Sequence, residues 1–275
     1  MTLSDVSARV KWVRYQVRAI AQCPELTLAG KRAMLLAKLR YHTGLLRRDQ
    51  VVDCGVARIR LGRESFPADW RVFFEVFVSR IYDGIRFDRA SVIDLGAHKG
   101  YFAVFALGRG AARVVSYEPE PMNFGRLAAA AYTVPHWTVH REAVAGETGQ
   151  RSLSRRESWS HTLLSDGDGD GEGAVDRLAV QTISLANVLA DHDGARPVIK
   201  LDIEGAECEA LSSAPPELLA RVDELVVEPH PHAGCDRTAI VTLATAAGLR
   251  TVDEPTNLLH FVGAGHQELN LRSDA

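Results

Sequence analysis

The sequence predicts an α/β fold in which a mainly parallel sheet is covered on both faces by helices, with a helical extension ahead of it. Three observations carry this. From residue 90 onward, short apolar segments alternate with helical ones. Val92-Ile93, Val114-Val115, Val198-Ile199 and Leu225-Val226-Val227 are unbroken apolar runs, the pattern of strands buried on both faces. These runs end in acids, namely Asp94, Glu118, Asp202 and Glu228, at the carboxyl edge where open α/β sheets bind ligands.

Val10, Val13, Val17 and Ile20 recur at helical spacing and predict a helix near 5–22. Met34, Leu35 and Leu39 predict a second over 29–45. Val51–Leu61 reads as a hairpin turning near Cys54-Gly55, and Pro67 opens an apolar helix that includes Trp70–Tyr82. The core then reads as strand Ser91–Leu95, helix Tyr101–Leu107, strand Arg113–Tyr117, helix Pro121–Ala131 and a third strand Trp137–Val144. Further strands are predicted at Pro197–Asp202, Glu224–Glu228, Arg250–Asp253 and Leu258–Val262, with helices near 205–213 and 236–247. The last two strands are close enough to form an antiparallel hairpin at one edge. This divides the chain into a helical extension (1–50), a hairpin and helix leading into the core (51–89) and the core itself (90–275).

A chain of 275 residues, 46% hydrophobic and 24% charged, suits one large α/β domain with an appendage and excludes a disordered chain. No apolar run approaches the roughly 20 residues of a membrane span. Arg9, Lys11, Arg14 and Arg18 break any signal-peptide core. Cys23, Cys54, Cys208 and Cys235 show no metal or redox spacing, so free thiols in a cytoplasmic protein are expected. The net charge of −3 conceals an N-terminal segment, 1–48, of net charge +8. A basic arm of this kind suits nucleic acid, an anionic membrane surface or an acidic protein; the preferred reading is two amphipathic helices with solvated basic faces, partly docked on their own acidic domain. Their apolar faces, led by Trp12, Val13, Val17 and Leu35, should be buried and should border the acceptor pocket. The Asp/Gly run 165–173 matches the first half of a calcium loop, but Arg177 stands where the bidentate Glu belongs. A mobile acidic loop is the expectation there.

Four motifs carry chemistry. In Asp94-Leu-Gly-Ala-His-Lys-Gly-Tyr-Phe102 a strand ends in an acid and a glycine-punctuated turn opens a helix, whose N–H groups are available to a ligand. The second motif, Ser116-Tyr117-Glu118-Pro119, ends the next strand in an acid placed to accept from ribose hydroxyls. In Lys200-Leu-Asp-Ile-Glu-Gly-Ala-Glu207, Lys200, Asp202 and Glu204 alternate, which a buried strand tolerates only if they are paired or the strand ends. A structural Lys–Asp pair is the alternative to a site. The fourth motif, Val227-Glu228-Pro-His230, ends another strand on the same edge. A nicotinamide dehydrogenase would share Glu118 but would need a third phosphate-turn glycine.

The first motif, Glu118-Pro-Glu-Pro-Met-Asn-Phe124 and the Lys200–Glu207 string together resemble the FkbM family of S-adenosylmethionine-dependent methyltransferases, over roughly residues 90–265. The resemblance implies a Rossmann-like class I methyltransferase fold with a seven-stranded, mostly parallel sheet. It also implies O-methylation of a hydroxyl on a polyketide, sugar or other small secondary metabolite, with N-methylation or a non-catalytic cofactor-binding scaffold as alternatives. His98 departs from the family, which usually has Asn there. On this reading Asp94, Gly96, Ala97, His98, Gly100 and Tyr101 hold the methionyl part of S-adenosylmethionine. Glu118 and Pro119 hold the ribose, Glu142 and Ala143 border the adenine, and Asp202 reaches toward the methyl. The catalytic candidates are His230 as base, Asp202, Glu204 and Lys200; a metal-free base is preferred to a divalent metal at the same cluster. The partner expected is a small-molecule acceptor, with homo-oligomerisation left open.

Overall fold

The computed structural model describes residues 3–157, 160–163, 176–192, 196–231, 234–252 and 257–266. Helices α1 (Leu3–Gln22) and α2 (Leu28–His42) lead the chain. The Thr27 hydroxyl accepts from the Gly30 N–H at 3.1 Å and so caps α2. Gly30 faces the hairpin β1 (Gln50–Asp53) and β2 (Arg58–Leu61), where a Cβ would fall 2.0 Å from the Asp53 carbonyl oxygen. Only glycine allows that helix–hairpin contact.

The apolar face of α1 is a correction. Trp12, Val13 and Val17 are 54%, 55% and 43% exposed, while Ile20 is buried and Leu35 of α2 packs partly against the core. Only part of the α1 surface meets the core, and Trp12 instead stacks on Tyr15 at 5.5 Å, beside Phe74. Next, α3 (Phe66–Phe73) runs into a π-helical turn, Phe74–Val78, so the predicted apolar helix loses its regular form halfway. Phe73 stacks on Phe77 at 4.6 Å, and Phe77 meets Phe105 edge-on at 5.7 Å. Each such pair adds about 0.5–1.5 kcal/mol beyond area burial and fixes the segment on the core.

The core follows as β3 (Ser91–Leu95), α4 (Tyr101–Gly108), β4 (Arg113–Tyr117), α5 (Pro121–Ala131) and β5 (Trp137–His140). The predicted third strand splits here. After Arg141-Glu142, β6 (Ala143–Ala145) leaves for a second sheet with β7 (Gly149–Glu157), β8 (Ser160–Leu163) and β9 (Asp176–Ser184), in the order β6-β9-β7-β8. This sheet was not expected. Its small apolar core is Ala143, Leu153 and Val180, too sparse to register as periodicity amid polar neighbours. The Asp/Gly run 165–173, with its calcium-loop and mobility readings, lies outside the described residues.

The chain then forms α6 (Leu185–Ala190), β10 (Pro197–Leu201), α7 (Glu207–Ser213), α8 (Pro216–Leu219), β11 (Glu224–Val227), α9 (Arg237–Ala246), β12 (Arg250–Val252) and β13 (Leu259–Val262). Seven strands lie in the order β12-β13-β11-β10-β3-β4-β5. From β11 to β5 all pairs are parallel, whereas β13 runs antiparallel to β11 and β12. The fold class is therefore the predicted one, with the last two strands as an edge hairpin. The free-thiol expectation fails for half the cysteines: Cys208 of α7 and Cys235 before α9 form a disulfide, while Cys23 and Cys54 are free and buried. A separation of 27 residues gave no sequence signal, and a reducing compartment opposes such a bond. Among the described residues no helix is long and apolar enough to cross a membrane.

Candidate active site

Strand register builds the site. Leu95 pairs with Tyr117 and Leu201, and Leu201 pairs with Val227. The next residues on four adjacent strands, Gly96, Glu118, Asp202 and Glu228, therefore emerge together at the carboxyl edge. They border a cleft of about 160 Å³, reached also by Glu75, Val76 and Tyr82 from the segment ahead of the core. Among the described residues, none of α1 or α2 lines it, although these helices were expected to border the acceptor pocket. Helix α3 and the π-helical turn instead supply Ala68, Arg71, Val72, Glu75 and Val76 to the lining.

The turn after β3 is tight for reasons internal to the chain. Gly96 has φ 76°, and a Cβ there would sit 1.7 Å from the Asp202 carbonyl oxygen. Gly100, at φ 88°, would place a Cβ 2.8 Å from the Trp137 ring and 2.9 Å from Leu127. The sequence reading gave these glycines to a ligand's approach; the close neighbours are protein. His98 holds φ 52°, a conformation that costs a side-chain-bearing residue on the order of 1 kcal/mol or more. Its N–H donates to Glu118 Oε2 at 2.8 Å, and the Glu120 N–H donates to Glu118 Oε1 at 2.9 Å. Burial pushes the Glu118 carboxyl up to about 8, against the pull of those two N–H groups.

Lys200 is buried among acids. Its Nζ donates to the Gly96 carbonyl at 2.8 Å and lies 3.1 Å from Asp202 Oδ2 and 3.4 Å from Asp94 Oδ1. The structural Lys–Asp pairing thus exists, and it ties β3 to β10. Burial alone would lower the Lys200 pKa, but Asp202 and Asp94 outweigh it and raise it, so the ammonium stays charged. Asp94, fully buried, is pushed above the usual carboxylate range by burial, with Lys200 opposing. It lies beneath the cleft rather than on its lining.

Asp202, Glu204 and Glu228 also line the cleft, and His230 lies within 4 Å of the first two without lining it. His230 Nδ1 is 2.9 Å from Glu207 Oε1, and Nε2 is 3.5 Å from Glu204 Oε2 and 3.9 Å from Asp202 Oδ1. Burial lowers the imidazole pKa, but the Glu207 hydrogen bond and the charges of Asp202 and Glu204 carry it up to about 9. Glu204 rises to about 7 through burial, and Glu228 to about 7 mainly through the Asp202 charge.

Of the residues chosen from sequence, Gly96, Ala97, His98, Tyr101, Glu118, Pro119, Ala143, Lys200, Asp202 and Glu204 line the cleft. Asp94, Gly100, Glu142 and His230 do not. Glu142 points instead toward His140, 3.9 Å away. Sequence reasoning missed Tyr82, Phe102, Tyr117 and Asn123, apolar or neutral residues with no chemical signature, although all line the cleft. It also gave no role to Glu207, which was visible as the last acid of the Lys200–Glu207 string.

The sequence matches the model of the methyltransferase FkbM domain over residues 94–247, more than half of the chain. Among solved structures, a methyltransferase FkbM from Methylobacillus flagellatus KT is similar at 18% identity and TM-score 0.47. The match covers 66% of this chain and 47% of that one, so this chain spans under half of that protein's length. N-methyltransferase NodS from Bradyrhizobium japonicum WM9 is similar at 10% identity and TM-score 0.40, over 72% of this chain and 97% of its own. A ribosomal protein L11 methylase from Lactobacillus delbrueckii subsp. bulgaricus matches at 12% identity and TM-score 0.33, over 62% of this chain and 67% of its own. No curated protein matches in sequence. With the family's domain spanning the acid-ended strands and the turn between them, the chain belongs to the FkbM methyltransferase domain family.

Proposed function

We propose that the cleft binds S-adenosylmethionine and that the protein methylates a hydroxyl on a small secondary metabolite. The observation that carries the reading is the buried Glu118 carboxyl, held by the His98 N–H of the turn after β3, in the same cleft as Asp202, Glu204 and Glu228. The donor set fits the cofactor: Glu118 keeps lone pairs for two ribose hydroxyls, and the acidic wall suits a positively charged sulfonium. When bound, S-adenosylmethionine supplies that electrophilic methyl. Ala143 and Val144, with Tyr117, offer apolar surface for an adenine.

The chain's own contribution is to align the acceptor and take its proton. His230 is the base the sequence suggests, but with its pKa at about 9 it is largely protonated at neutral pH. Glu228, on the cleft wall and titrating near 7, is the better proton acceptor, with Lys200 as a fixed cation nearby. The same acidic wall favours a second reading, an amine acceptor held as a cation before it is deprotonated. Calorimetry with S-adenosylhomocysteine and with NAD tests the cofactor: binding of the first alone is expected, and binding of NAD alone would refute the proposal. Mass-spectrometric gain of one methyl on hydroxyl-bearing or amine-bearing candidates then separates the two acceptors.

A further inference from the structure

We propose that Asp202, Glu204 and His230 form a site for one divalent cation of the manganese or magnesium class at the edge of the cleft. The three residues each offer one ligand atom, all within 4.8 Å of one another. His230 Nε2 is 3.5 Å from Glu204 Oε2 and 3.9 Å from Asp202 Oδ1. Neighbouring ligands of an octahedral ion bound at ~2.1 Å lie roughly 3 Å apart, so the imidazole need approach each carboxylate by only about an ångström or less. Oxygen ligands with one imidazole suit this class of ion.

The second observation is orientation. Glu207 is fully buried, and its Oε1 lies 2.9 Å from His230 Nδ1. Metal-binding histidines characteristically give one ring N–H to a carboxylate, so that the other nitrogen faces the ion. The same Glu207 oxygen accepts from the Gly205 N–H at 3.1 Å and the Ile203 N–H at 3.4 Å. One buried carboxylate therefore fixes both the imidazole and the loop that carries Glu204, which itself is held at φ 56°. Lys200 engages Asp202 Oδ2 at 3.1 Å, leaving Oδ1 as the oxygen nearer His230.

A third observation is contrast. Asp223, Glu224 and His266 make a similar cluster near the start of β11. There the carboxylates are already used: Arg86 lies 2.8 Å from Asp223, its N–H donates to Glu224 at 3.1 Å, and His260 lies 2.9 Å from Glu224. At the cleft, Asp202, Glu204, Glu207 and Glu228 face Lys200 and His230, while Arg71 on the same lining pairs with Glu75; this leaves negative charge for a cation, which displaces the Nε2 proton of His230 as it binds. The role of the ion rests on the methyl-transfer reading: it would hold the acceptor's oxygen at the cleft and lower that hydroxyl's pKa. Its binding does not depend on that reading.

The test uses the full chain stripped with EDTA, titrated with Mn²⁺ by the paramagnetic resonance of the free ion. S-adenosylhomocysteine binding is measured by calorimetry on the same samples. One Mn²⁺ per chain is expected. Glu204→Gln should weaken it at least tenfold and Glu207→Gln by about 10- to 100-fold, while Asp223→Asn leaves it unchanged. Glu204 is partly exposed, so its variant keeps the test alive if Glu207→Gln fails to fold. No Mn²⁺ uptake, or uptake that Glu204→Gln does not weaken, overturns the inference. S-adenosylhomocysteine binding without Mn²⁺ binding refutes the ion alone, and Mn²⁺ binding without S-adenosylhomocysteine binding refutes the cofactor reading alone.

Discussion

Replacing Glu118 with Gln tests the cofactor assignment through both affinity and pH. In the free protein burial holds this carboxyl at about 8. A ligand whose hydroxyls donate to the carboxylate binds the ionised form, so affinity is full well above pH 8 and is lost as pH falls through it. At pH 7 a group of pKa 8 is about one-tenth ionised, which weakens binding by roughly tenfold, or about 1.4 kcal/mol. At pH 6 the factor is about a hundred. The Glu118→Gln variant carries no such proton. Its amide also turns an N–H₂ toward one of two N–H donors, His98 or Glu120, that now meet carboxylate oxygens at 2.8 and 2.9 Å. Losing charge-assisted acceptance costs ~1.5–3 kcal/mol, or roughly 10- to 150-fold in Kd at high pH. Calorimetry with S-adenosylhomocysteine from pH 6 to 9 should give a steep rise in wild-type affinity and a flat, weaker line for Glu118→Gln. Equal affinities for the two proteins at pH 9 would refute the ribose assignment, and a flat wild-type profile would refute the protonation argument.

Further outcomes follow from the same geometry. Gly96→Ala, which sets a Cβ 1.7 Å from the Asp202 carbonyl at φ 76°, should cost about 3 kcal/mol or more, read as a large drop in melting temperature. His230, raised to about 9, contributes stability that is present below its ordinary value of about 6.5 and lost as pH rises through 9. In protein stripped with EDTA, Glu207→Gln should therefore be less stable than wild type at pH 6 by about 2 kcal/mol and closer to it at pH 9.5, by urea unfolding; a pH-independent gap would contradict this pairing. Reducing Cys208–Cys235, which closes 27 residues, should cost ~3–4 kcal/mol in the chain-entropy account and lower the melting temperature by about 6 °C. An unchanged melt under dithiothreitol, with both thiols shown to be free, would contradict that.

The sequence by itself determined the parallel core. Strands buried on both faces must be continuous apolar runs, so β3, β4, β10 and β11 stand out, and their terminal acids Asp94, Glu118, Asp202 and Glu228 mark the carboxyl edge. Glycines with positive φ were equally visible, though the reason for Gly96 was not: its constraint is the Asp202 carbonyl, more than a hundred residues away. The rest was decided by which strand ends become neighbours. Glu207 meets His230 across 23 residues, Cys208 meets Cys235 across 27, and Leu153 closes a small core with Ala143 and Val180. None of these pairings leaves a periodic or fixed-spacing trace. Trp12 and Val17 show the same limit from the other side, since periodicity names an apolar face but not whether a partner surface exists to bury it. Local pattern follows from backbone geometry and side-chain burial, both legible along the chain. Contacts between distant residues follow from register and layer packing, which arise only when the sheet is assembled.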